Sequence, residues 1–287
     1  MERVAGAPIS WGVCEVPGWG YQLSPERVLR EMQVAGLAAT EFGPDGFLPD
    51  SPGERAALLA DHGLRAVGGF HPAVLHRAGF DPLPDVDRAL DAFTVAGADT
   101  LVLAAATGAD GYETRPELDP GGWSTLLANL DRIARHTAGR GVRATLHPHV
   151  GTLVEGADDV DRVLDDASIP LCLDTGHLLA AGVDPRALVT RATSRIAHVH
   201  LKDVDTTLAA RVRAGEVGYA KAVAQGLYRP LGAGDVDVTG IVTTLEDAGY
   251  EGWYVLEQDT VLHAEPDDLG PLADVLTSVN FLEGLRR

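Results

Sequence analysis

The feature that most constrains the fold of this chain is an alternation that runs along nearly its whole length. Short β-prone stretches at 8–11, 39–42, 65–70, 100–103, 142–147, 169–174, 196–201 and 252–257 are separated by longer stretches whose apolar residues fall three or four apart. The helical stretches carry their own start signals. Ser24-Pro25-Glu26-Arg27 and Ser51-Pro52-Gly53-Glu54 each place a capping hydroxyl before a proline at the first helical position, and Asp184-Pro185 and Glu265-Pro266 do so less fully. Glycines 36, 63, 97, 141 and 249 stand where a helix must stop before the next strand.

Eight strand–helix units demand parallel strands, because each strand must be followed by a crossover, and parallel strands need helices over them. The expectation is an α/β fold, a single (β/α)8 TIM barrel spanning residues 1–287. A chain of 287 residues suits such a barrel, which takes about 250, although length alone would also admit two small domains. An open doubly wound sheet is the alternative, weakened by the lack of a Gly-x-Gly-x-x-Gly after the first strand. One connection is long: residues 205–231 follow the seventh strand, with 209–223 expected to be helical. Leaving the C-terminal end of a strand, this segment is read as a lid over the barrel mouth or as a contact between copies in a homo-oligomer.

Charge excludes some partners. With 23 basic and 42 acidic residues the formal charge is −19, which repels nucleic acid and anionic membrane surfaces and favours a metal cation at an open site. Much of the acid, such as Asp158, Asp159, Asp161, Asp165 and Asp166, reads as solvated helix surface. Two cysteines, no basic-then-apolar start over residues 1–10 and no bilayer-length apolar run point to a reducing cytoplasm.

The chemistry gathers where the later strands end. His147-Pro148-His149, Asp174-Thr175-Gly176-His177, His198-Val199-His200-Leu201-Lys202-Asp203 and Glu257-Gln258-Asp259 each turn an apolar strand polar at its last residues. Unpaired burial of such groups costs several kcal/mol, so they need a common partner. The two-residue period of a strand puts Asp174 on the face of Cys172, Glu257 on that of Val255, and His198, His200 and Lys202 on one face. Two carboxylates and several imidazoles converging at a mouth suit a divalent ion: zinc, manganese, cobalt or iron. Taken singly each has a plainer role. Asp174 could cap the following helix, His198 could be a satisfied core histidine, and Cys172 fills core one layer down.

These motifs resemble a family. Leu173-Asp174-Thr175-Gly176-His177, the His198–Asp203 run and Gly249-Tyr250-Glu251-Gly252-Trp253 before Glu257 look like the xylose-isomerase-like barrels of sugar isomerases and epimerases. His147-Pro148-His149-Val150-Gly151-Thr152, the 230–237 segment Pro-Leu-Gly-Ala-Gly-Asp-Val-Asp, Ala7-Pro8-Ile9-Ser10-Trp11-Gly12 and Thr40-Glu41-Phe42-Gly43 narrow the likeness to inosose dehydratases. The resemblance implies metal ligation by Asp174, His200 and Glu257, manganese being the leading expectation, with His177 facing the substrate. Where many isomerases offer a fourth, glutamate ligand, this chain has His147, with His149 as the competing choice.

A metal beside a ketone stabilises the enolate formed when the adjacent C–H loses its proton. Expelling a β-hydroxyl then gives dehydration, and returning the proton gives epimerisation or isomerisation. With a histidine in place of one carboxylate, the expectation is a hydro-lyase acting on a cyclic keto-polyol such as an inosose. The runner-up is a sugar isomerase or epimerase, and a non-catalytic sugar- or metal-binding barrel is the reading from another class. Lys202, His177 and Glu257 are the candidate catalytic groups. Lys202 would either remove the proton, through a depressed amine pKa, or stabilise the enolate. His177 or His149 would protonate the leaving hydroxyl. Glu41 and His71 are candidates for holding substrate hydroxyls, and Trp11 and Trp253 for stacking on the ring or for barrel packing.

Overall fold

The computed structural model describes residues 3–285; Met1, Glu2, Arg286 and Arg287, the ends of the expected domain and the first residues of the chain start, lie outside the described residues. Eight parallel strands close into a barrel. They are β1 (Val4–Gly6), β2 (Ala39–Glu41), β3 (Arg65–Ala73), β4 (Thr100–Ala105), β5 (Arg143–Leu146), β6 (Leu171–Asp174), β7 (Ile196–Leu201) and β10 (Tyr254–Leu256). Two short strands, β8 (Asp203–Val204) and β9 (Tyr228–Arg229), pair antiparallel beside it. Around the barrel run α1 (Pro25–Val34), α2 (Pro52–Asp61), α3 (Leu83–Ala96), α4 (Pro120–Ala138), α5 (Ala157–Asp166), α6 (Thr175–Ala180) and α7 (Pro185–Ala192). Then follow α8 (Thr206–Arg213), α9 (Tyr219–Ala224), α10 (Val238–Asp247) and α11 (Pro271–Gly284). Among the described residues no helix is long and apolar enough to cross a membrane.

The punctuation works as its chemistry dictates. Ser24 accepts a hydrogen bond from the Arg27 N–H and Ser51 from that of Glu54, while Asp184 caps α7 through Arg186 and Ala187. Glycines 36, 63, 97, 141 and 249 adopt the left-handed backbone (φ between 64° and 77°) that ends a helix without a Cβ clash. The main core lies between strands and helices, with Leu29, Leu101, Leu126, Leu173 and Leu201 all buried. Small residues, Ala5, Ala7, Ala39, Val67 and Val255, pack in a separate cluster of their own.

Three boundaries differ from expectation. Residues 8–11 form a 3-10 turn, and the first strand lies earlier, at Val4–Gly6, because Pro8 has no N–H for a ladder and its fixed φ suits a first helical turn. The last helix starts at Pro271 rather than at Pro266: Gly270 precedes a proline, a position that disfavours the helical region. The 209–223 stretch is two short helices rather than one, broken by Gly215 in the left-handed region and extended Gly218.

That segment has its own small core. Val204, Ala209, Val217, Ala222, Leu227 and Tyr228 pack together with Trp19 from the loop after β1. Its base is anchored by Asp203, whose carboxylate accepts N–H bonds from Val204, Gly232, Gly234 and Val236, gathering the 230–237 loop beneath it. A Cβ at Gly234 would stand 2.4 Å from Asp203 Oδ1, so the glycine is a packing requirement.

Candidate metal centre

Asp174 is both a cap and a site residue, through different oxygens. Its Oδ1 accepts the N–H groups of Gly176 (2.9 Å) and His177 (2.7 Å) at the start of α6. Its Oδ2 faces His147 Nε2 at 3.1 Å, Lys202 Nζ at 3.4 Å and His200 Nδ1 at 3.7 Å. The sheet register sets Asp174 directly beside His200. Glu257, bonded through its backbone N–H to Leu201, brings Oε2 against His200 Nδ1. Donor atoms of His147, Asp174, His200 and Glu257 all lie within 4.8 Å of one another. His149 does not join them: its Nδ1–H donates to the Val150 carbonyl at 2.7 Å, and its ring lies 3.7 Å from that of His177.

These residues fit a divalent ion. His200 Nδ1 and Glu257 Oε2 are buried without a hydrogen-bond partner, which native interiors seldom tolerate. Two carboxylates and two imidazoles form the mixed oxygen–nitrogen set that manganese, cobalt, zinc and iron accept. Behind His200, Nε2 bonds Glu41 Oε1 at 3.0 Å, and His198 Nε2 reaches the same oxygen at 2.8 Å. A carboxylate behind an imidazole fixes the ring's orientation and tautomer. Burial works against the charge on Asp174, but Lys202, His177 and the imidazole hydrogen bonds outweigh it and hold the carboxyl well below its ordinary range.

Lys202 is wholly enclosed. Its Nζ donates to Asp259 Oδ1 at 2.6 Å and stands 2.9 Å from His177 Nε2 and 3.6 Å from Glu257 Oε1. Burial pushes the amine's pKa down, yet Asp174, Asp259 and Glu257 outweigh it and raise it well above the lysine value. Three carboxylates, Asp174, Glu257 and Asp259, thus surround the amine. His177 is pushed well below the usual histidine range, by burial first and then by His149 and Lys202. Its Nδ1 meets the Tyr228 hydroxyl at 3.1 Å, Tyr228 meets Tyr219 at 3.1 Å, and Tyr219 donates to Asp259 Oδ2 at 2.9 Å.

A cavity of about 350 Å³ opens above, at the low end of the range for small-molecule sites. Its polar lining includes Glu41, His71, His149, Tyr219, Glu257 and Asp259, and Trp19, Phe42 and Phe70 supply aromatic walls. His71 Nε2 is buried there without a partner. Lys202 and His177 do not line the cavity themselves; Asp259, bonded to the one, and His149, stacked on the other, do.

Trp11 is corrected: it has no exposed surface, its indole N–H donates to Glu31 at 2.8 Å, and it packs in the strand–helix core, away from the cavity. Trp253 lies just before β10, at the opposite end of the barrel, with Arg65 4.7 Å over its ring. Sequence reasoning named Asp259 only within the Glu257-Gln258-Asp259 run, with no role of its own, and missed Tyr219 and Tyr228. A site role for the first was open to it, since Asp259 is two residues from Glu257 and so shares its side.

A closed barrel of eight parallel strands whose C-terminal mouth gathers buried carboxylates, imidazoles and a lysine is the architecture of the (β/α)8 enzymes. The chain belongs to the xylose isomerase-like TIM barrel family, whose model matches residues 29–282, in agreement with the resemblance carried by its motifs. It is 32% identical over 279 residues to the rhizopine catabolism protein MocC of Rhizobium meliloti, covering 94% of this chain and 84% of that protein. It is 28% identical over 264 residues to the inosose dehydratase of Geobacillus thermodenitrificans, covering 88% of each. Among solved structures, an L-ribulose 3-epimerase superposes over 100% of this chain and 96% of its own, with a TM-score of 0.71 at 17% identity, a likeness of fold.

Proposed function

We propose that the protein is a metal-dependent hydro-lyase that removes water from a cyclic keto-polyol of the inosose type. The observation that carries the reading is that Glu257 alone, of His147, Asp174, His200 and Glu257, lines the cavity. Asp174 is engaged by its helix cap and its neighbours, and His147 offers no carboxylate. The cavity carboxylates Glu41 and Asp259 are bonded elsewhere, Glu41 to His198 and His200 and Asp259 to Lys202 and Tyr219, which favours elimination over exchange between two carboxylate bases. The inosose dehydratases among the relatives support the same choice.

The four residues would hold a divalent ion, which supplies Lewis-acid polarisation of a substrate carbonyl. Glu41 and His71 Nε2 hold ring hydroxyls at the cavity wall. Lys202, 3.6 Å from Glu257, sets a positive charge close to where the enolate oxygen develops. His149 lines the cavity, and with its Nδ1–H committed to Val150 its Nε2 keeps a lone pair. It takes the proton from the carbon beside the carbonyl and returns it to the departing β-hydroxyl. One C–H and one C–O bond break, a C=C bond forms, and proton and hydroxyl leave as one water. A small neutral polyol, a cytoplasmic site of action and no nucleic-acid partner belong to the same reading, in keeping with a charge of −19.

The test is a screen of inososes and related keto-sugars with the metal-loaded protein, read by mass and ultraviolet absorbance. Loss of one water with new enone or diketone absorbance is the expected result. Solvent deuterium entering the substrate without loss of water would overturn it in favour of epimerisation. Stoichiometric metal with no turnover of any keto-polyol or ketose would leave a binding barrel.

A further inference from the structure

The connection between β4 and α4, residues 106–119, reaches the cavity through Tyr112, which lines it together with Glu15 and Tyr219. Among the described residues, no backbone–backbone hydrogen bond involves residues 107–118. Most of these residues are exposed, with Tyr112 and Leu118 half-buried.

Three side chains hold the loop instead, each to a different element. The Tyr112 hydroxyl donates to Glu15 in the loop after β1, and its ring lies 4.3 Å from that of His149. Glu113 accepts the first N–H groups of α9, from Tyr219 and Ala220, both at 2.9 Å. Arg115 reaches Glu155, in the loop after β5, at 3.3 Å and Asp159, on α5, at 2.6 Å. Both partners of Arg115 have bonds of their own, Glu155 to the Gly151 N–H and Asp159 to those of Glu155 and Gly156. Exposed ion pairs and hydrogen bonds contribute little net stability, because water replaces them readily.

Packing specifies where the loop rests without filling the space around it. Gly151, in the left-handed region (φ 77°), admits the Tyr112 carbonyl where a Cβ would stand 2.3 Å from its oxygen. Gaps of about 300 and 380 Å³ flank the loop, one towards Pro17 and Pro72 and the other towards Val150 and Val212. The β7–α10 segment is the contrast, with a buried core of its own and its base bonded to Asp203. A segment with few apolar contacts and no ladder bonds opens at low free energy, whereas one with its own core does not.

We propose that residues 106–119 are the lid of the cavity, clasped by Glu113 and Arg115, and that Tyr112 is the face it presents to the substrate. The 205–231 segment, read from the sequence as a lid or a contact between copies, is then the fixed ledge onto which it closes. Opening takes the Tyr112 ring off His149 and admits a polyol, and closing shuts water out of the site. The motion stands on the loop's own contacts; only the meeting of Tyr112 with substrate rests on the hydro-lyase reading.

The experiment is limited chymotrypsin digestion of the full-length protein, with the cut sites read by mass spectrometry. Tyr112 in the loop is compared with Tyr219 and Tyr228 in the fixed segment. A protease needs several residues of detached, extended chain, so cutting after Tyr112 follows the open population. The wild type should be cut after Tyr112 roughly tenfold faster, or more, than after either of the others. Glu113→Ala should speed that cut on the order of tenfold, with unfolding midpoint and metal content unchanged, and Arg115→Ala should act in the same direction. Equal rates at the three tyrosines, or a Tyr112 cut that both variants leave unchanged, would overturn the lid. Where the screen finds a substrate, a saturating amount should slow the Tyr112 cut about tenfold, and Tyr112→Ala should raise KM by a similar factor. A cut rate indifferent to a substrate that is turned over would sink the role of Tyr112. If the wild type turns over nothing, the function fails and the digestion still decides the lid.

Discussion

Strands β1–β4 and strands β5, β6, β7 and β10 finish at the same mouth with different chemistry. The first half brings Glu41 and Phe42 at the end of β2 and Phe70 and His71 on β3 to the cavity, mostly as walls. The second half ends in His147, Asp174, His200 and Lys202, which lie below the cavity lining, and in Glu257 and Asp259, which reach it. Shape and charge are thus supplied by different halves of one ring of strands. Substitutions in the two halves should therefore fail in different ways, the second half losing kcat or metal and the first half losing substrate affinity.

The sharpest test of that division is Lys202→Met. It keeps the length of an unbranched side chain and removes the charge, and kcat for the hydro-lyase reaction should fall roughly 10²–10³-fold with metal content retained. A rise in KM alone, with kcat unchanged, would break the comparison. Glu41 joins the halves, being on β2 but bonded to His198 and His200. Glu41→Gln should weaken metal affinity roughly 10–100-fold, read by equilibrium dialysis, because the carboxylate behind His200 is lost. His71→Leu belongs wholly to the first half. Steady-state kinetics should show KM raised by about 5–10-fold, one hydrogen bond's worth, with kcat nearly unchanged.

The smallest effect is expected at Trp11, which the sequence placed among the ring-stacking candidates and which the structure buries against Glu31. Trp11→Phe should cost about 1 kcal/mol in denaturant unfolding through the lost indole bond, with metal content at the wild-type level. A loss of metal would return Trp11 to the site.

The sequence made the barrel legible because its units are local: each strand, cap and stop glycine signals within a few residues. The late strand ends were legible for the same reason, and Asp174 caps α6 with one oxygen while the other faces His147. Where the reading failed, the cause was competition from a neighbour in sequence or in space. Pro8 looked like the opening of a strand but set a turn, and Gly270-Pro271 overrode the cap signal at Glu265-Pro266. The surroundings of Lys202 were beyond reach because its three carboxylate neighbours, Asp174, Glu257 and Asp259, come from different parts of the chain. Tyr219 and Tyr228 sit in a segment with no strand-end period to flag them, and only the fold brings their hydroxyls to His177 and Asp259.

The claim on which the rest stands is that His147, Asp174, His200 and Glu257 hold one divalent ion. Metal content after loading with manganese or cobalt and exhaustive dialysis, compared for the wild type, Asp174→Asn and Glu257→Gln, tests it most directly. Each variant removes one charged oxygen donor and should lose most of its ion while the wild type keeps about one per chain. Full occupancy in both variants would contradict the assignment.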